Sequence, residues 1–243
     1  MRALLTPRWM IAHVVVLVLS IVFVNLGMWQ LRRLEERRLA NTVGESRFEA
    51  EPVDAALLVS AAGSDLDSLS HHRALATGTF VPESEVLIRS QVYREVAGFD
   101  VITPLLIEDG SAVLVNRGWV PLEMDEVPVA AAAPPAGVVT VEGWLAPTQI
   151  RKALGPSDPE GGQLMALNRV DIDRIQEQVP FPLLPMYLVA MGEQGSELPV
   201  PLAPPTFHDE GSHLAYAIQW FSFLVIGLVG YGFLIRKSLR SSG

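Results

Sequence analysis

Cysteine is absent from all 243 residues. Its absence excludes disulfides, zinc-thiolate and copper-thiolate sites and a thiol nucleophile, and it leaves no redox compartment to read from the sequence. Also missing are a Gly-rich phosphate loop, a His-x-x-x-His pair and a Gly-x-Ser-x-Gly elbow. No acid, base and nucleophile set can be assembled from motifs, so an enzyme is the least expected class. Acidic residues are missing from both ends, because all 27 fall between Glu35 and Glu210. Outside that interval lie only basic charges, Arg2, Arg8, Arg32, Arg33, Arg236, Lys237 and Arg240, and the acidic body argues against nucleic acid as a partner.

Two long apolar runs are what the chain has instead. Residues 213–235 hold no Asp, Glu, Lys or Arg and are closed by Arg236 and Lys237. As a helix this run reaches about 34 Å, enough to cross a hydrocarbon core of about 30 Å. The first run, 9–28, is interrupted only by His13, Ser20 and Asn25 and has the length for one crossing. No small-x-small cleavage site follows it, so it is expected to stay as an anchor. The sequence divides into a cytoplasmic N-terminus (1–8), a first transmembrane helix (9–29), an extracytoplasmic β-rich domain (30–212), a second transmembrane helix (213–235) and a cytoplasmic basic tail (236–243).

The orientation rests on charge. Two crossings put both ends on one side, and the basic ends favour the cytoplasm. Arg32, Arg33, Arg37 and Arg38 beyond the first crossing argue the other way, accompanied by Glu35 and Glu36. Long segments translocate largely regardless of charge, so the acidic domain is expected outside. With no targeting extension ahead of the first span, the expectation is a bacterial plasma membrane rather than a mitochondrial precursor. His13 and His213 then fall at opposite membrane faces and cannot ligate one metal.

Between the runs the pattern is that of strands. Helical register continues from the first run to about residue 40, and 41–70 reads as a connection with one short helix. His71-His72 lies in this polar context and reads as surface. Strands are predicted at 74–81, 85–93, 99–107, 112–120, 138–145 and 186–191, with a tight hairpin at Asp109-Gly110. Asp171 can cap a helix over 172–179, and the Pro-rich stretch 198–205 should be extended. The long loops are 121–137 and 147–162. Too few helices separate the strands for parallel crossovers, so the predicted class is α+β: an antiparallel sheet or partly open barrel flanked by two transmembrane helices.

Three places carry polar groups of interest. His213, Tyr216 and Trp220 share one helix face, with Gln219 beside them. They read either as an interfacial belt or as a ligand site. Arg32 and Arg33 emerge near the start of the second crossing, where cations can meet anionic lipid or ligand carboxylates. In Asn116-Arg117-Gly118-Trp119, Arg117 reads either as a structural ion pair or as a cation presented beside Trp119.

The stretch Leu26-Gly27-Met28-Trp29-Gln30-Leu31-Arg32-Arg33 resembles the signature of the Surfeit locus protein 1 family of cytochrome c oxidase assembly factors. Gly78-Thr79-Phe80, Val113-Leu-Val-Asn-Arg-Gly-Trp-Val-Pro121 and His213-Leu-Ala-Tyr-Ala-Ile-Gln-Trp-Phe221 match in the same order. The resemblance implies a two-crossing chaperone of the respiratory chain that assists heme a delivery to, or insertion into, oxidase subunit I. It makes His213 the heme-associated position and the expected metal ligand. Trp29, Gln30, Tyr216 and Trp220 are then expected around the ring, with Arg32, Arg33 or Arg117 at the propionates. Where relatives often have asparagines before the His-Leu pair, this chain has Gly211-Ser212. Expected partners are subunit I, other oxidase or supercomplex subunits, and membrane lipid. The alternative is a stable accessory subunit of the oxidase or a supercomplex that handles no cofactor.

Overall fold

A computed structural model describes residues 6–151, 155–193, 195 and 197–241. The outermost parts of both predicted cytoplasmic ends, Arg2 included, and part of the 147–162 loop lie outside the described residues. The chain divides into two units, Met1–Val43 with Phe207–Gly243, and Gly44–Thr206.

The first unit is a helix pair. Helix α1 (Pro7–Glu49) and helix α4 (His213–Ser241) are each long and apolar enough to cross a membrane. They run antiparallel: Gln30 meets His213, Phe23 stacks on Trp220 at 5.8 Å, and His13 meets Tyr231. Closest approach is at Gly27, where an added Cβ would lie 2.6 Å from the Phe221 ring. Gly227 and Gly230 have open space around them, so the glycine that lets these helices touch is on α1. Of the three polar residues inside the first apolar run, His13 bonds Tyr231 of α4 and the other two are satisfied within their own helix. Ser20 Oγ donates to the Val16 carbonyl (2.7 Å) and Asn25 Nδ2 to that of Ile21 (2.8 Å).

The second unit is built on an eight-stranded sheet. Its strands are β1 (Val53–Asp54), β2 (Arg73–Phe80), β3 (Val86–Tyr93), β4 (Val96–Ile107), β5 (Ala112–Pro121), β6 (Val138–Pro147), β7 (Ala166–Leu167) and β8 (Leu183–Ala190). The order is β1-β2-β6-β8-β5-β4-β3-β7, and a further pairing of β2 with β4 closes five of these strands into a barrel. Strand β4 makes closure possible by serving two neighbours: Val101 and Ile102 pair with β3, whereas Leu105, Leu106 and Ile107 pair with β2. Pro104 sits at the changeover, where a residue without an N–H is tolerated. Gly78 is the matching device on β2, since a Cβ there would meet the Leu106 carbonyl oxygen at 2.2 Å.

Most pairings are antiparallel, but β5 and β8 are parallel, as are the short β1–β2 and β3–β7 pairs. The sheet is therefore mixed at its centre, because the chain returns through helix α3 (Ile172–Gln176) to insert β8 between β6, which it meets antiparallel, and β5, which it meets parallel. Asp171 caps α3 as expected, accepting from the Arg174 N–H. The helix ends three residues before the predicted stop because the Gln176 side chain bonds the Phe181 carbonyl and the Leu183 N–H, drawing the chain into β8. The 41–70 connection is more ordered than its composition suggests. It holds the end of α1, helix α2 (Ala55–Ala62) capped by Asp54, and a 3-10 turn at Leu66–Leu69. Ala55 and Leu69 are buried against the barrel residues Ala74, Phe80 and Leu105, so burial of a short apolar face decides that segment.

Candidate functional site

Gln30 closes the apolar part of α1 and His213 opens α4, and the antiparallel packing brings them face to face. His213 Nδ1 lies 2.9 Å from Gln30 Oε1. Gln30 is buried at 9% exposure and His213 is half-buried. In the tautomer in which Gln30 Oε1 accepts, the hydrogen is on Nδ1 and the Nε2 lone pair is available to a ligand. Metal-binding imidazoles generally have this arrangement, with the second nitrogen bonded to a fixed acceptor. Gly211, at φ +67°, lies beside the same edge of the ring: a Cβ there would be 3.6 Å from Nε2. That is ordinary van der Waals contact, so the positive φ, not lack of space, is what calls for glycine in this turn.

The approach to His213 is held by groups that single-sequence reasoning did not select. Arg38 forms a two-pronged ion pair with Glu210 at 2.8 Å on each arm, and Asn41 Nδ2 donates to the Asp209 carbonyl (3.0 Å). Asp209 Oδ1 in turn accepts from the Gly211 N–H (2.8 Å), which fixes the turn before the histidine. The hydrogen bond from Arg38 holds the Glu210 carboxyl below its ordinary range. The partners are 172 positions apart, so no local pattern announces them.

The remaining predicted residues divide. Trp220 lies in the helix seam with Phe23, while Trp29 and Tyr216 point away from it, at 45% and 48% exposure. The Arg33 guanidinium stands over the Trp29 ring, 5.9 Å from its centre, and Arg32 is exposed. His13 is at the far end of the pair with Tyr231, apart from His213. Among the described residues no group of three or more His, Cys, Asp or Glu gathers, so His213 would ligate as a single imidazole.

Arg117 belongs to the second unit and is internal to it. The register between β4 and β5 shifts there, with Val101 opposite Gly118 and Ile102 opposite Asn116, so Arg117 occupies a bulge. Gly118 takes φ +127°, and a Cβ on it would strike the Val200 carbonyl, which receives the Trp119 N–H. The Pro-rich return segment lies on β5 for that reason. Arg117 is 9% exposed, pairs with Glu85 at 3.4 Å and donates to the Ala132 carbonyl at 2.6 Å. Burial pushes its guanidinium down and Glu85 opposes the shift. These contacts are those of the structural ion pair.

Comparison with known proteins accords with this geometry. A family model described as the SURF1 family matches residues 17–225. A SURF1-like protein of Monosiga brevicollis is 31% identical over 243 aligned positions, covering 92% of this chain and 87% of its own. An uncharacterized SURF1-like protein of Mycobacterium tuberculosis is 27% identical, covering 98% of this chain and 87% of its own, and a SURF1-like protein of Rickettsia felis is 24% identical at 94% and 98%. The match takes in the barrel, the His213–Gln30 pair and the parts of both apolar helices next to that pair, and the chain belongs to the SURF1 family.

Proposed function

We propose that this chain assists assembly of the heme-copper cytochrome c oxidase by holding heme a at the Gln30–His213 end of the helix pair and passing it to subunit I. The observation that carries the reading is the cross-helix bond from His213 Nδ1 to Gln30 Oε1, which leaves Nε2 as a ligand. When bound, the heme supplies a flat apolar ring, an iron that accepts one imidazole and two carboxylates. Trp29 and Tyr216 offer exposed rings near that end, Trp220 backs them in the seam, and Arg32 offers an exposed cation for a carboxylate. His213 would be the one protein ligand among the described residues, which would suit a carrier that gives its cargo up.

The setting proposed is a bacterial plasma membrane crossed twice, with the sheet unit on the extracytoplasmic side. The antiparallel helix pair and the basic residues at both of its far ends support this orientation. Assembly in this reading is non-enzymatic. The test is to express the chain in cells that make heme a and record spectra of purified wild type and His213→Ala. Wild type is expected to carry the heme spectrum and the variant to lose it; identical spectra would overturn the ligand role. Co-purification separates the carrier from a permanent subunit, because a carrier is enriched on subunit I lacking heme and absent from the mature oxidase.

A further inference from the structure

The helix pair has a second concavity at the end away from His213. It encloses about 470 Å³ and is lined by Arg8, Trp9 and Ala12 from α1 and by Tyr231, Leu234, Lys237 and Ser238 from α4. Its chemistry has two halves. Trp9, Ala12, Tyr231 and Leu234 form an apolar wall, while each helix contributes one cation, Arg8 and Lys237. Among the described residues of this unit the acidic side chains, Glu35, Glu36, Asp209 and Glu210, all lie toward the Gln30–His213 end, away from that pair.

The wall is built rather than incidental. The Tyr231 hydroxyl bonds His13 Nδ1, and the rings of Trp9, His13 and Tyr231 pack on one another with centres 5.8–6.3 Å apart. The groove also opens onto the apolar outer surface of the pair, where Met10, Ile11, Phe233 and Leu234 are exposed. A ligand filling it has to present one anionic group to two cations and an apolar body to an aromatic and aliphatic wall. A free anion satisfies only the first half, and a zwitterionic lipid brings no net charge.

We propose that the groove between Arg8 and Lys237 is a binding site for an anionic glycerophospholipid, its phosphate held by the two cations and its acyl chain lying along Trp9, Tyr231 and Leu234. The site clamps the open end of the helix pair and anchors it at one membrane face, opposite the heme-binding end. The inference rests on the membrane reading given above, and its test keeps the two separable.

Full-length protein is purified in mild detergent, offered equal amounts of phosphatidylglycerol and phosphatidylcholine, and examined by native mass spectrometry. Wild type is expected to retain phosphatidylglycerol about 25-fold over phosphatidylcholine, each basic side chain contributing about fivefold. Arg8→Gln/Lys237→Gln is expected to bring the two lipids level. Leu234→Trp, which fills the groove without changing charge, is expected to lose the retained lipid as well. Equal phosphatidylglycerol retention by wild type and both variants would overturn the proposal, as would its full displacement by millimolar inorganic phosphate. Alkaline carbonate extraction of the wild type tests the membrane reading separately. A chain that leaves the membrane there sinks both, whereas one that stays and shows no lipid preference sinks only this inference.

Discussion

At the scale of single residues, the Gln30 amide does for His213 what a bare spacing pattern cannot display. It lies 2.9 Å from Nδ1 and so holds the ring by one nitrogen, across 183 positions of sequence. Gln30→Leu removes the acceptor while keeping the side chain's bulk, and is expected to weaken heme binding by about 10- to 100-fold, read by titration of the purified protein. Unchanged affinity would show that the bond is incidental. Glu85 plays a comparable part for Arg117, accepting from the Val129 N–H and the Thr103 hydroxyl in the same buried cluster. Glu85→Gln leaves the Arg117 charge buried without its partner and is expected to cost about 3–5 kcal/mol in stability. A double variant, Glu85→Gln/Arg117→Met, should recover most of that loss in thermal melting; equal losses in single and double variants would show that the charge pair is not the cause.

At the scale of elements, the helix pair and the barrel are closed by small residues at contact points. Gly27 admits the Phe221 ring one turn before Gln30, so the same approach that packs the helices brings histidine and glutamine within reach. Gly27→Ala is expected to destabilise the pair by about 1–3 kcal/mol, with relief from Phe221→Leu, measured as melting temperature in detergent. A Gly27→Ala protein as stable as wild type would mean that the helices do not pack closely there. In the barrel, Pro104 and Gly78 occupy the two strands that close the ring. Strand positions were legible from alternating β-branched residues to within a few positions. The change of partner along β4 was not, because it depends on residues brought together from β2, β3 and β5. The one short helix expected within 41–70 is α2, whose exact place is set by burial against distant residues, whereas strand β7 was illegible because its order comes from pairing with β3.

At the scale of the whole molecule, the missing cysteines become an experimental advantage, since any single cysteine introduced reports alone. With a membrane-impermeant maleimide on intact cells, Ser64→Cys is expected to label and Leu239→Cys to label only after lysis. The reverse pattern would put the sheet unit in the cytoplasm and remove the setting proposed for heme transfer. By itself the sequence determined that two uncharged runs are long enough to span a bilayer, that a strand-rich acidic segment separates them, and that His213 and His13 lie at different depths. These follow from local composition and from the fixed rise of a helix, which need no knowledge of neighbours. Only the tertiary structure decided that Gln30 faces His213, that Arg38 and Glu210 secure the turn before it, that Arg117 is consumed by Glu85 inside the barrel, and that Arg8 and Lys237 frame one groove. Each of those depends on groups far apart in the chain meeting across a packed interface, and that meeting is set by shape and burial rather than by any pattern along the backbone.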